Sequence, residues 1–205
     1  MTDGFFINLH KALVIPVVIG LMIGFDNYSR EIWLYLGLHG SYSIIWLLKQ
    51  AWFPDRRFDV ERPIWIGVIF VFLPLASYYV APLLLAWRHV ALPAWAFGAA
   101  ATMFTFGVFF HYAADAQKYF ELRDRPRLID DGMFTRTRNP NYFGEILIYC
   151  GFATLSAHWL PFVIVALWAA VFFVPGILAK DKAMAKYPDY AAYKARSWPL
   201  VPRPW

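Results

Sequence analysis

The stretch Arg138-Asn139-Pro140-Asn141-Tyr142-Phe143-Gly144-Glu145 joins a basic loop to an apolar run that carries a carboxylate. An ionisable side chain near the interior of a bilayer costs on the order of 3 kcal/mol, so a carboxylate there asks for a partner or a task. The spacing predicts a helix capped by Asn139 with Pro140 in its first turn. That sets Asn141 and Glu145 one turn apart on one face, with Tyr149 a turn further. Two tasks suit Glu145: stabilising the helix start through its dipole, or contacting a cofactor at the mouth of a helical bundle. The preceding loop strengthens the second, because Arg123, Arg125, Arg127, Arg136 and Arg138 supply guanidinium forks that match phosphate oxygens. With Asp115 and Lys118 they describe a polar basin for an anionic nucleotide cofactor. The sequence has neither a Rossmann glycine motif nor a P-loop, so a nucleotide would bind within the membrane domain.

A second constellation, His39, Ser41, Tyr42 and Lys49, lies in an otherwise apolar run. Tyr42 suits a buried proton donor or a hydrogen-bond donor to a carbonyl, and equally a packing or interface residue. His39 and His111 are too isolated to form a metal site, and no metal is expected.

These side chains need elements to position them, and composition says which. Hydrophobic residues make up 60% of the 205 positions and charged ones 16%, so the main solvent is lipid. A helix needs about 20 apolar residues to cross the hydrocarbon. Six runs qualify: Leu9 to Phe25, Ile32 to Trp52, Ile64 to Trp87, Leu92 to Ala113, Asn141 to His158 and Leu160 to Ala179. The expected fold is all-α, a polytopic membrane helical bundle of about six transmembrane helices in one domain over 1–205. Lys49, Arg56, Arg57 and Arg62 follow the second run, and Lys118, Arg123, Arg125, Arg127, Arg136 and Arg138 follow the fourth. Lys180, Lys182, Lys186, Lys194, Arg196 and Arg203 end the chain, and the opposite face keeps only Arg30 and Arg88. Sixteen basic residues against two put the basic loops and both termini in the cytoplasm. The aromatic and basic tail from Lys180 to Trp205 reads as an interfacial cap. Pro16, Pro74, Pro82 and Pro175 should kink helices. The N-terminus lacks the basic start and cleavage site of a secretory signal, so the first helix should persist. Cys150 cannot form an internal disulfide, and its apolar setting suits packing. The net charge of +5 sits beside hydrophobic helices, which points to anionic lipid or a phosphorylated cofactor and away from nucleic acid.

The stretch from Asp115 to Ser156 contains a Gly132-Met133-Phe134 turn, then Asn141-Tyr142-Phe143-Gly144-Glu145 and Gly151. It resembles the C-terminal domain of steroid 5-alpha-reductases and their bacterial relatives. The tail Lys186-Tyr187-Pro188-Asp189-Tyr190 leading to Pro202 is similar to that family's ending. The likeness covers roughly the last 95 residues well and the first 110 loosely. Such enzymes use NADPH to reduce a carbon–carbon double bond conjugated to a ketone. The resemblance implies that Asn141 and Glu145 contact the nicotinamide end, with Tyr149 lining the site. It makes Asp115 an acidic cofactor contact and Arg127 a phosphate ligand. Lys118, Arg138, Tyr142 and Tyr187 are expected beside them as further cofactor-binding residues. The resemblance makes Tyr42 the group that polarises the substrate ketone, and Glu31 stands available for the acidic partner of that tyrosine. The chain departs from the family on the last helix, where Val174-Pro175-Gly176 and Lys180-Asp181-Lys182 replace the Arg and His residues of animal members.

A related branch, the isoprenylcysteine and phospholipid methyltransferases, shares the Arg-x-Pro-x-Tyr-x-Gly core and uses S-adenosylmethionine. That branch has a histidine where this chain has Asn139, and paired glutamates where it has Lys180-Asp181-Lys182. The expected activity is therefore NADPH-dependent reduction of an enone in a steroid- or isoprenoid-like substrate drawn from membrane lipid. Methyl transfer to a lipid or prenylated substrate is the alternative.

Overall fold

The computed structural model describes residues 1–204. Six long helical stretches follow one another: α1 (Asp3–Gly24), α2 (Arg30–Trp52), α3 (Ile64–Arg88), α4 (Ala94–Leu122), α5 (Pro140–Leu155) and α6 (Trp159–Met184). A short α7 (Tyr190–Arg196) lies in the tail. No strand occurs among the described residues. Four helices, α1, α3, α4 and α6, are long and apolar enough to cross a membrane, as in an integral membrane protein. The other two fall outside those limits for visible reasons. α2 is less apolar, with His39, Ser41, Tyr42 and Ser43 in its middle turns besides Lys49 near its end, and α5, at 16 residues, spans only about 24 Å against a hydrocarbon core of about 30 Å.

Two of the prolines are accommodated by a local change of helix type. In α3 the segment Val68–Phe72 is π-helical and Pro74 follows it, and in α6 the π-helical segment Ala169–Phe173 precedes Pro175. A proline has no N–H to donate, and its ring clashes with the carbonyl four residues back. Widening the preceding turn relieves both problems without ending the helix. Pro16 sits inside α1, which continues through it.

The chain divides into two compact units, Met1–Thr102 with Cys150–Ile164, and Met103–Tyr149 with Val165–Trp205. In the first unit α1 and α2 pack against each other, with Trp46 Nε1 donating to Asn8 Oδ1 at 3.1 Å. Asn27 closes the turn between them, its amide donating to the carbonyls of Leu85 and Ala86. Val14, Val18, Ile32, Tyr35, Leu85 and Leu155 are fully buried there.

In the second unit the segment after α4 is fixed by Gln117. Its side chain accepts from Met133 N at 2.9 Å and donates to Asp131 Oδ1 at 3.1 Å. Gly132 has φ +53°, the left-handed region that a side chain disfavours, so glycine is required where this 3-10 turn (Gly132–Phe134) begins. Ala114, Ile129, Phe134, Tyr190 and Tyr193 form a buried cluster around which Leu128, Met184 and Tyr187 pack. The tail folds back over this loop as a cap.

Candidate functional site

The site is built on the crossing of α4 and α5 within the second unit. Gly107 and Gly144 face each other there so closely that a Cβ on Gly144 would lie 2.5 Å from the Gly107 carbonyl oxygen and from the His111 amide nitrogen. Small residues allow backbones to approach in this way. The stripe Gly107, His111, Asp115 runs along α4 at four-residue spacing, and Asn141, Gly144 and Ile148 run along α5 to meet it. His111 Nδ1–H donates to the Asn141 carbonyl at 3.1 Å, and Asn141 Nδ2 donates to the buried Asp115 Oδ1, also at 3.1 Å. Two of the residues expected at the cofactor site are thus hydrogen-bonded to each other.

Glu145 lies one turn beyond Asn141 and is half-buried. Its carboxylate makes no hydrogen bond or ion pair with another described residue, and the Tyr112 hydroxyl sits within electrostatic reach of both Glu145 and Asp115. Tyr149 is buried a turn further on α5, and Lys118 follows Asp115 on α4. The Tyr142 ring stacks on Phe173 at 4.6 Å with an interplanar angle of 9°, and Lys180 Nζ stands 3.8 Å from the Tyr142 ring centroid. Gly176 makes room for this stack, since a Cβ there would be 2.9 Å from the Tyr142 hydroxyl.

Asn139 does not cap α5 with its side chain. Its Nδ2 donates to the Pro199 carbonyl at 2.8 Å and its Oδ1 accepts from Lys180 Nζ at 2.8 Å, so it joins the helix start to the tail and to α6. Arg138 is equally committed. Its side chain is only 4% exposed, it makes a bidentate pair with Asp181 at 2.9 and 3.0 Å, and Nη1 donates to the Ser197 carbonyl at 2.6 Å. Backbone bonds from Arg138 N to Trp198 O and from Trp198 N to Arg136 O complete the clasp. The expectation of Arg138 as a phosphate ligand gives way to a framework role, because the fork already has its carboxylate. Arg127 pairs with Glu121 and, at 3.8 Å, with Asp131. Arg196 pairs with Asp130. Tyr187 belongs to the packing under the tail. Burial pushes the Tyr190 hydroxyl up to about 12, with Asp181 adding to the shift, and raises Tyr193, which donates to the Phe134 carbonyl at 2.8 Å.

Glu31 and Tyr42 lie in the first unit. Glu31 accepts from the Leu92 amide at 3.2 Å and from its neighbour Arg30. Eleven residues of α2 separate it from Tyr42, about 16 Å along the axis, so Glu31 is a helix-terminus residue and not the partner of that tyrosine. Tyr42 is fully buried, with the Lys11 ammonium 4.2 Å from its ring centroid. His39 stacks on Phe152 at 4.4 Å and shares a 2.9 Å hydrogen bond with the Tyr35 hydroxyl. No group of three metal-ligating side chains occurs among the described residues.

A family model described as a protein of unknown function (DUF1295) matches residues 43–197, about three quarters of the chain. The chain belongs to the DUF1295 family. No curated protein matches it. The matched region contains Tyr42's neighbours on α2, the whole α4–α5 crossing and the Arg138–Asp181 clasp, so the site lies inside the DUF1295 region and not in an appendage to it.

Proposed function

We propose that this DUF1295 protein is a membrane reductase of the steroid 5-alpha-reductase type, which uses NADPH to reduce a carbon–carbon double bond conjugated to a ketone in a steroid- or isoprenoid-like substrate. The observation that carries the reading is the Asp115–Asn141 hydrogen bond with the half-buried Glu145 carboxylate one turn away and unmatched by any described residue. A carboxylate held in that setting suits a ligand with N–H donors, and the carboxamide of a nicotinamide has two. Asp115 fixes the Asn141 amide by accepting one of its hydrogens, leaving the other and the amide oxygen for the ligand. Lys118 and Lys180 supply cations on α4 and α6. For Arg127 to hold a phosphate it would exchange Glu121 and Asp131 for phosphate oxygens, while Arg138 keeps the tail in place.

When bound, NADPH would supply a hydride for the β carbon of the enone. The double-bond electrons move toward the ketone oxygen, and a proton completes the saturated ketone at the α carbon. In this scheme Tyr42 donates a hydrogen bond to the ketone oxygen, where negative charge develops, and the chain's part in the cofactor chemistry is to orient and exclude water. Six membrane spans with both termini and the basic loops in the cytoplasm fit the sixteen-to-two distribution of Lys and Arg. The α4–α5 crossing then opens to the cytoplasmic supply of cofactor.

The reading is tested by following NADPH oxidation by the purified protein with a steroid enone. Glu145→Ala should weaken NADPH binding, and Tyr42→Phe should slow turnover with cofactor affinity nearly intact. Full activity of Tyr42→Phe on a verified substrate would remove the tyrosine from the scheme.

A further inference from the structure

We propose that an anionic phospholipid binds on the outward face of α6, with an acyl chain along Leu167, Val171 and Leu178 and its phosphate held by Lys182 and Lys186. The helix is among those long and apolar enough to cross a membrane. Leu167, Val171 and Leu178 are 57%, 59% and 64% exposed, so most of their surface faces away from the protein, whereas Phe173 and Ile177 are buried. Lys182 follows one turn beyond Leu178, and Lys186 comes four residues later, in the turn that ends the helix. Both lysines are exposed. A face turned toward lipid thus runs into two ammonium groups just past Ala179, where the apolar run stops. That order, aliphatic and then cationic, matches one phospholipid followed from its chain to its headgroup.

The charges nearby leave these lysines for a ligand. Neither pairs with a carboxylate among the described residues, and Lys186 Nζ stands 5.2 Å from the Tyr187 ring centroid. Asp181, beside Lys182, does not cancel it, because the Arg138 fork holds that carboxylate at 2.9 and 3.0 Å. Lys180, Lys182, Lys186 and Arg138 therefore stand against only Asp181 and Asp189 at this end of α6, and the excess is positive. A lysine in the last turn also complements the helix dipole, but Lys186 lies past the helix end. Trp198 supplies an independent sign. Its N–H donates to the Arg136 carbonyl at 3.1 Å and its carbonyl accepts from the Arg138 N–H at 2.9 Å, so its main chain is fixed to the residue that grips Asp181. Even so, Trp198 is 47% exposed. An indole held firmly and left uncovered near the last turn of α6 suits the headgroup layer, where tryptophan is enriched. Two lysines favour a headgroup whose only charge is its phosphate, as in phosphatidylglycerol, over one that carries a cation of its own. The site stands on α6 and the tail, whatever the α4–α5 crossing binds.

The test uses the full chain in phosphatidylcholine nanodiscs doped with a trace of photoactivatable lipid, either phosphatidylglycerol or phosphatidylcholine, with the same carbene precursor on the acyl chain. Cross-linked peptides are located by mass spectrometry. Phosphatidylglycerol should label α6 between Leu167 and Leu178 at least about tenfold more than phosphatidylcholine does, from two cations acting at an anionic headgroup. Raised salt should shrink that preference. The double variant Lys182→Gln with Lys186→Gln should abolish it with the unfolding temperature held, since both side chains are exposed. Lys182→Arg with Lys186→Arg should keep it, as should Arg56→Gln, which removes an exposed cation from another segment. If the lysines serve only the end of the helix, the two lipids label wild-type α6 equally and the double Gln variant unfolds at a lower temperature. That result would overturn the proposal, as would a phosphatidylglycerol preference that survives the loss of both lysines.

Discussion

Adding one methyl group at Gly144 should disable the α4–α5 site from its foundation. The new Cβ would start 2.5 Å from the Gly107 oxygen and the His111 nitrogen, and both are backbone atoms that cannot swing aside as a side-chain tip would. Restoring ordinary contact at 3.4 Å moves the helices apart by about 0.9 Å. The Asn141–Asp115 and His111–Asn141 hydrogen bonds, both now 3.1 Å, would then stretch toward about 4 Å and cease to be hydrogen bonds. Overpacking costs about 1–3 kcal/mol, and losing a buried hydrogen bond to a carboxylate about 1.5–3 kcal/mol. Exchanging glycine for alanine in a helix returns up to about 1 kcal/mol. Gly144→Ala should therefore destabilise the protein by about 3 kcal/mol and lower NADPH affinity at least about tenfold through the displaced Asn141. Gly98→Ala is the control: it lies on the same α4, where a Cβ meets nothing within 4 Å, and it should be neutral or slightly stabilising. Thermal unfolding in detergent and NADPH titration of both variants make the comparison. Wild-type stability and affinity in Gly144→Ala would refute the close crossing as the basis of the site.

Glu145→Gln should leave the unfolding temperature unchanged, because the carboxylate supports no described contact, and should weaken NADPH binding about tenfold. Arg138→Met leaves the largely buried Asp181 with only the Lys194 pair, at 3.9 Å, among the described residues and should cost about 3 kcal/mol, seen as protease cleavage of the chain after Met184. The tail should also loosen in alkali. Tyr190, pushed up to about 12, and Tyr193, also raised, are held neutral by burial, whereas in an unfolded chain they ionise near 10. Their stabilising effect is thus complete below about pH 10 and is lost as the pH climbs through about 12. Tyrosinate absorbance should rise together with tail proteolysis in that window, and tyrosines that titrate near pH 10 with the tail still protected would contradict the burial. Gly132→Ala, forced to φ +53° against Gln117, should destabilise the Gly132–Phe134 turn by about 1–2 kcal/mol in a denaturant titration.

The long apolar runs made the helices legible, but three of them extend beyond their runs: α1 starts at Asp3 rather than Leu9, α4 continues from Ala113 to Leu122 through polar residues, and α6 continues from Ala179 to Met184. Helical spacing made the interior face of Asn141 legible, but its hydrogen bond to Asp115, 26 residues away on α4, was not. The fate of the arginines was not. A run of basic residues reads as phosphate-seeking until the acids that meet it are known, and Asp181 lies 43 residues from Arg138. The same distance in sequence hid Lys180 from Asn139 and Tyr142. Gly107, His111 and Asp115 at four-residue spacing were available as a sign of a close helix crossing, and only the stripe on α5 was read.

The central claim is that the α4–α5 crossing receives a nicotinamide cofactor. Equilibrium binding of NADPH and of S-adenosylmethionine to the purified full chain tests it most directly. The account predicts saturable NADPH binding that weakens in Glu145→Ala, with S-adenosylmethionine bound weakly or not at all. Tight S-adenosylmethionine binding without NADPH binding would contradict it and move the protein to methyl transfer.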